Sequence, residues 1–426
     1  MAALATRARA FPRVESLLTG TAGVVLVLGG LLLISLYLRT RALGASLWMD
    51  EGLSIGIASQ PFFDIPGVLR QDGSPPLYYL SLNLWMELFG TGPGDTQGLS
   101  VAISLLAVPG GMWAGWTLFG KRAGLICAAL AAFNPFLTVY AQETRMYSLM
   151  VVLSLLLTAV FLHVFVFRRR RYLPAFVALL AAILYTHSWG IFVTAGTLVA
   201  LAPLLLASDD RRPLLRDAAI GYGAAFLLYV PWLPTLLYQT AHTGAPWLNS
   251  PRLGAPVQIA KGLLGGGTVT VALVLAAGSG LVAVLNRKVS DDRERTALLA
   301  GTVIVLGTLA VAWIVSQVSP AWTTRYLGVL LGPMLLLGAL GLARAGNLGL
   351  VGLAIILVIW AIPKSYGLEN KSNAADLAGA VSGELRAGDL VVTLQPEQHP
   401  LIHYHLRNDL VEATQLGEVQ RKGVMD

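Results

Sequence analysis

Charge is scarce in this sequence. Asp, Glu, Lys and Arg make up 12% of its 426 residues, while 55% are hydrophobic and the mean hydropathy is +0.68. Soluble globular chains carry roughly a quarter charged residues, so the balance excludes a soluble domain and points to a polytopic membrane protein. Cysteine is almost missing: Cys127 stands alone inside an apolar stretch, which excludes a disulfide framework and a Cys-based metal site. A nucleic-acid-binding face is absent as well. The net charge is +7, but the basic residues lie between apolar runs rather than on one soluble surface. No internal repeat is present.

What the sequence has instead is a series of long uncharged runs. Crossing a hydrocarbon core of about 30 Å takes about 20 apolar residues in a helix. Such runs lie at 17–38, 97–119, 123–141, 147–167, 173–188, 189–207, 218–238, 263–286, 297–317, 327–343 and 346–363. They predict an all-α polytopic bundle of about eleven transmembrane helices. The first run exceeds the roughly 7–15 apolar residues of a signal peptide, which predicts a retained first helix.

Taking Arg7, Arg9 and Arg13 as cytoplasmic fixes every later loop by alternation. The inner loops then add Lys121, Arg122, Arg168 to Arg171, Arg211, Arg212, Arg216, Arg287, Lys288, Arg293, Arg295 and Arg344, seventeen basic residues in all. The outer loops carry seven, namely Arg39, Arg41, Arg70, Arg145, Arg252, Lys261 and Arg325. This excess follows the positive-inside rule. The threading requires PPLYYLSLNLWMELFG, the 16 residues from 75 to 90, to lie at the interface rather than cross; counted as a span, it would put the four-arginine run outside. With a short helix in FFDIPGVLRQ before it, residues 39–96 become one large outer loop. Residues 1–363 form the membrane module. Residues 364–426 form a small α/β extracytoplasmic tail, with a helix in SNAADLAGAVSGELR, a turn at Gly388 and Asp389, a strand LVVTL and a helix PLIHYHL.

This threading gathers polar residues from six separated segments at the outer end. They are Asp50 and Glu51, Tyr79 in DGSPPLYY, Gln142, Glu143 and Arg145 in YAQETRMYS, His187 in YTHSWG, Gln239 and His242 in PWLPTLLYQTAH, and Arg325 in SPAWTTRYLG. Ionisable groups at membrane depth are costly and usually face a cavity. Plainer roles stand beside the functional ones. Asp50 and Glu51 could cap the helix starting at GLSIG, Glu143 and Arg145 could merely pair with each other, His187 could be structural, and Arg325 could be a snorkelling anchor. Tyr140, Tyr147, Trp48, Trp189 and Trp232 sit where aromatic belts form.

A carboxylate beside two arginines at the outer surface suits transfer from a lipid-linked anionic donor. The carboxylate can act as general base on an acceptor hydroxyl. The arginines can bind a phosphate and stabilise the charge that develops as it leaves. In chain order, WMDEGLS, DGSPPLYYLSLNLW, FNPFLTVYAQETRMYSL, YVPWLPTLLYQ and TTRYLGVLLGP resemble the integral membrane glycosyltransferases of the GT-C fold. The nearest group in this resemblance is the bacterial family 39-like enzymes, related to protein O-mannosyltransferases and lipid A aminoarabinose transferases. It extends over roughly residues 40 to 345.

The resemblance implies a polyprenyl-phosphate sugar donor, a glycan, lipid or protein acceptor, and inversion at the anomeric carbon. It implies a catalytic acid at Asp50 with Glu51 supporting it or the acceptor, Glu143 lining the same cavity and Arg325 on the phosphate. The expected substrate-binding set is Glu143, Arg145, Arg325, His187, Tyr79, Gln142 and Gln239. Ser74 departs from the His that many relatives carry before the Pro-Pro pair, which puts in doubt a metal or phosphate role there. No metal site is assigned, although a divalent cation would favour carboxylates such as Asp50 and Glu143. The expected location is the cytoplasmic membrane, with the N-terminus inside and the tail outside. Two other classes compete. A secondary transporter or lipid flippase would place its charges near the bilayer midplane, whereas these spans are uncharged through their middles; a non-catalytic assembly subunit would leave the acid pair without a purpose.

Overall fold

A computed structural model describes residues 20–407 apart from 245–247, 287–290, 363–367, 370, 387–388, 390 and 394–395. Arg7, Arg9, Arg13, Arg287, Lys288 and Gly388 lie outside the described residues. The helices are α1 Thr21–Thr40, α2 Met49–Ala58, α3 Ile65–Asp72, α4 Leu77–Phe89, α5 Pro93–Leu105, α6 Ala107–Phe119, α7 Lys121–Phe133, α8 Pro135–Ala141, α9 Tyr147–Phe161 and α10 Leu173–Leu184. They continue as α11 Gly190–Leu206, α12 Arg211–Tyr229, α13 Leu233–His242, α14 Ala255–Leu264, α15 Gly267–Leu285, α16 Asp292–Val318, α17 Leu331–Arg344 and α18 Gly346–Ala361. The tail adds α19 Ala374–Ser382 and α20 His399–His405.

Each of the eleven apolar runs carries a helix. Among the described residues, seven helices are long and apolar enough to cross a membrane, and the pair α7 and α8 makes an eighth if read as one bent span. The other three runs hold α10, α11 and α18, of 12, 17 and 16 residues. At 1.5 Å per residue these are about 18 to 26 Å long, somewhat short of the hydrocarbon core. The chain is a multi-pass, all-α membrane protein.

The bundle has a definite centre. The spans Tyr147–Val166 and Tyr326–Arg344 are 89% and 83% buried, against 17% for Thr21–Thr40. The two central helices approach closely because Gly332 of α17 lies against the backbone of Leu155 and the side chain of Ser154, leaving no room for a Cβ. Small residues at such crossings are how membrane helices gain packing contacts when apolar burial cannot drive them together.

Contacts divide the loops between two ends. At one end Arg122 donates to Gly346 O at 2.6 Å, Arg344 to Phe119 O at 3.0 Å and to Glu294, and Arg170 pairs with Asp217. At the other end Leu77 N donates to Tyr185 O, Gln97 to Glu51, and Tyr404 to Thr91 O. The basic loops therefore share one end and the candidate site residues the other. Helix α4, 13 residues long, meets partners of the second end at both of its termini.

The tail differs from expectation in one respect. The regular elements among its described residues are helices, and Val391–Thr393 of the expected strand form none; Leu390 and Leu394 lie outside the described residues. Val391 and Val392 are exposed, and a strand without a neighbour to pair with has no hydrogen-bond ladder to hold it.

Candidate active site

The acid pair enters the site through the first turn of α2. Glu51 is the third residue of that helix, and its Oε2 accepts from Trp48 N at 3.3 Å, closing a capping arrangement that fixes where the helix begins. The two acids then diverge. Asp50 Oδ2 accepts from Arg325 at 2.7 Å, with side-chain exposures of 16% and 21%. Arg325 is the pair's one described hydrogen-bond donor to Asp50, so the second carboxylate oxygen is uncommitted and partly open. Glu51 is fully buried. It accepts from Gln97 at 3.1 Å, Thr144 N at 2.9 Å and Lys371 at 3.0 Å. With its lone pairs spoken for, Glu51 braces the site rather than facing a substrate.

Arg145 arrives from a different direction. Asn134 breaks the helix before it: its Oδ1 accepts from Leu137 N at 3.2 Å as an N-cap, and Pro135 follows at the first position, where its missing N–H costs nothing. The resulting bend of 49° carries the loop 142–146 beneath α2. There Arg145 donates to Ser54 Oγ at 3.0 Å, Tyr79 Oη at 3.3 Å and Asp50 O at 3.4 Å. Arg145 as a whole is 8% exposed, and no carboxylate lies within ion-pair distance among the described residues. Its Nε has no hydrogen-bond partner. Burial works against this charge, but Tyr79, Tyr147, Asp50 and Asp72 outweigh it and hold the pKa well above the usual arginine value. Arg145 stays cationic, and its charge lacks a direct counter-ion.

Glu143 and His187 complete the set. Glu143 does not pair with Arg145; its Oε2 is buried and unpartnered. Burial, then the charge of Glu51, pushes its pKa up to about 7, so it exchanges a proton near neutrality. Asp72, in line with Tyr79 and Arg145, is also raised, chiefly by burial. The ring of His187 lies 4.7 Å from that of Tyr326 and 6.2 Å from Tyr147. Its Nδ1 accepts from Trp189 N at 3.1 Å. His187 completes an aromatic wall with Tyr147 and Tyr326.

The expected residues thus fall into two groups. Asp50, Arg325, Arg145, Tyr79, Glu143 and His187 meet around one region. Gln142 and Gln239 do structural work at its margin. Gln142 accepts from Ala42 N at 2.7 Å and donates to Thr138 O at 2.9 Å, tying the loop to the end of α1. Gln239 donates to Leu69 O at 2.8 Å and Ser74 O at 3.4 Å, holding the turn that precedes Pro75 and Pro76. His242 stacks on Tyr238 at an exposed position apart from the cluster.

Among the described residues no three His, Cys, Asp or Glu side chains converge closely enough to hold a metal ion. Asp50 is ion-paired to Arg325, and Glu143 would compete for the metal with its own proton.

Four residues around the site escape a reading of the sequence. Lys371 lies in the tail with no pattern to mark it, Gln97 is the first residue of an apolar run, and Asp72 and Ser54 look like ordinary loop and helix residues. The only usable signal was polarity at the edge of apolar runs, and it flagged Gln97 as a boundary.

No protein-family model and no curated protein matches the chain. Solved structures do match it. ArnT from Cupriavidus metallidurans, bound to undecaprenyl phosphate, aligns at a TM-score of 0.62 and 16% identity over 93% of this chain and 89% of that one. The same protein in the apo state gives 0.58 and 18% identity over 95% and 73%. The archaeal oligosaccharyltransferase AglB from Archaeoglobus fulgidus, in complex with an inhibitory peptide and a dolichol-phosphate, gives 0.54 and 13% identity over 88% and 59%. The arrangement of helices around the Asp50–Arg325 pair is therefore the GT-C fold of membrane glycosyltransferases.

Proposed function

We propose that the chain is a glycosyltransferase that moves a sugar from a polyprenyl-phosphate donor to an acceptor hydroxyl at the outer face of the cytoplasmic membrane. The observation that carries this reading is Arg145, a buried cation with no carboxylate in contact, set beside the Asp50–Arg325 pair. The surrounding acids and tyrosines support this charge only through space, so its guanidinium is left to make charge-assisted contacts with an anionic ligand. A phosphate on a lipid is such a ligand. The fold likeness to proteins solved with undecaprenyl phosphate and dolichol-phosphate supports the same class of donor.

In this reading Asp50 takes the proton of the acceptor hydroxyl. The acceptor oxygen bonds to the anomeric carbon as the carbon–oxygen bond to the phosphate breaks, giving inversion and free polyprenyl phosphate. Arg145 and Arg325 receive the charge that develops on that phosphate. Arg325 can shift from Asp50 to the phosphate as the donor enters, leaving Asp50 free to act as base. Tyr79 and His187 shape the wall, and Glu51 holds the first turn of α2. The N-terminus is inside and the tail outside.

The test is transfer of label from a radiolabelled polyprenyl-phosphate sugar into membrane extract by purified protein. Asp50→Asn should lower the rate by about 10²- to 10⁴-fold. Transfer at the wild-type rate would remove Asp50 from the base role.

A further inference from the structure

We infer that Lys371, in the C-terminal segment, is a positioning residue that fastens the two acid-bearing loops of the site to each other. The inference rests on the reading given above for what the site does. One ammonium group makes both connections. Lys371 Nζ donates to Glu51 Oε2 at 3.0 Å and Oε1 at 3.2 Å, and to Gln142 O at 2.6 Å. Glu51 adjoins Asp50, and Gln142 adjoins Glu143. The side chains of Lys371 and Glu51 are 6% and 0% exposed, so the pair is sealed from water.

Charge alone does not explain the arrangement. Glu51 already accepts from three neutral N–H groups, those of Trp48, Gln97 and Thr144; Lys371 adds the positive charge that lets the carboxylate remain buried. The neighbouring segment is committed to the same place. Ser46 Oγ donates to Ser372 O at 3.2 Å. Leu401 of α20 lies so close to Gly52 that a Cβ there would come within 2.7 Å of the Leu401 Cα. The tail therefore grips α2 on both sides of the acid pair. Lys371 touches no group assigned to substrate, so it acts through Glu51 and the loop 142–145. The consequence of losing it is a small displacement of Asp50 relative to Arg145 and Arg325. Misplacement of about 1 Å can lower a rate on the order of 100-fold.

The experiment uses the full chain with three variants, Lys371→Met, Lys371→Arg and the double variant Glu51→Gln with Lys371→Met. Two readouts are taken: label transfer, resolved into kcat and KM for the donor, and hydrogen exchange at the amides of residues 48–52 and 144. The expected result for Lys371→Met is a kcat lower by about 100-fold with a donor KM within about 3-fold, and exchange at those amides faster by about tenfold or more. Lys371→Arg should recover part of the loss. If Lys371→Met does not fold, the double variant, which buries no lone charge, takes its place with the same expectations. A folded variant with wild-type kcat and unchanged exchange overturns the inference, as does a loss confined to donor KM. If wild-type protein transfers no label, the functional reading fails, and the exchange measurement alone still decides whether Lys371 joins the loops.

Discussion

At the end of the bundle that the charge count assigns to the cytoplasm, here the inner end, Arg170, Arg216 and Arg344 expose 55%, 58% and 36% of their side chains. At the opposite end Arg145 is 8% exposed and Arg325 21%. The inner arginines find Asp217 and Glu294 directly, in water-accessible pairs of the kind that contribute about 0–1 kcal/mol each. The outer ones are desolvated, and only Arg325 has a carboxylate. The same residue type thus serves two purposes. Where a loop needs only to stay on its side of the membrane, exposure is tolerated and pairing is incidental. At the other end the cations are buried, and Arg145 has no carboxylate in contact among the described residues.

The contrast can be broken at several levels. The largest effect concerns sidedness itself. A reporter that is active only outside the cytoplasm should be on when fused after residue 144 and off when fused after residue 170; the reverse result would undo the distinction between the two ends. Next is Arg145→Met, which should lower kcat/KM for the lipid donor about 100-fold or more, measured by label transfer at subsaturating donor. An unchanged value would mean that Arg145 is structural.

A smaller effect belongs to Glu143. Its pKa is raised from 4.5 in the unfolded chain to about 7 in the folded one. The folded state therefore binds the proton more tightly, and the stability this gives is complete below about pH 4.5 and lost as pH rises through about 7. Glu143→Gln should flatten that fall and be more stable than wild type at pH 8 by about 1–3 kcal/mol, read as thermal unfolding against pH. An unaltered slope would show that Glu143 is ionised throughout. The smallest effect is expected at the inner end: Arg170→Gln should change stability by less than about 1 kcal/mol and leave transfer intact.

The membrane part of this architecture was readable because a bilayer imposes a strong length requirement, and each apolar run long enough to meet it carries a helix. Charge counting assigns α4 to the interface, since counting it as a span would put Arg168 to Arg171 outside. Asp50, Arg145 and Arg325 were legible as charges at the ends of uncharged runs. What could not be read was the division of labour between neighbours. Asp50 and Glu51 are adjacent and chemically alike, yet a rotation of about 100° along the helix sends one to an arginine at the mouth of the site and the other into a sealed pair. Gln142 and Gln239 are polar for the sake of backbone partners. Lys371 carries no local pattern, because its meaning depends on residues 320 positions away.

That separation has a consequence for biogenesis. Glu51 lies in α2, directly after α1, and its ammonium partner emerges only after α18. Until Lys371 arrives, the carboxylate has neutral donors alone, and the site lacks the fastening between its two loops. A chain arrested or inserted wrongly before that point would display an acid pair without the geometry to use it. The Glu51–Lys371 contact thus ties the first turn of α2 to a segment that is translated after α18.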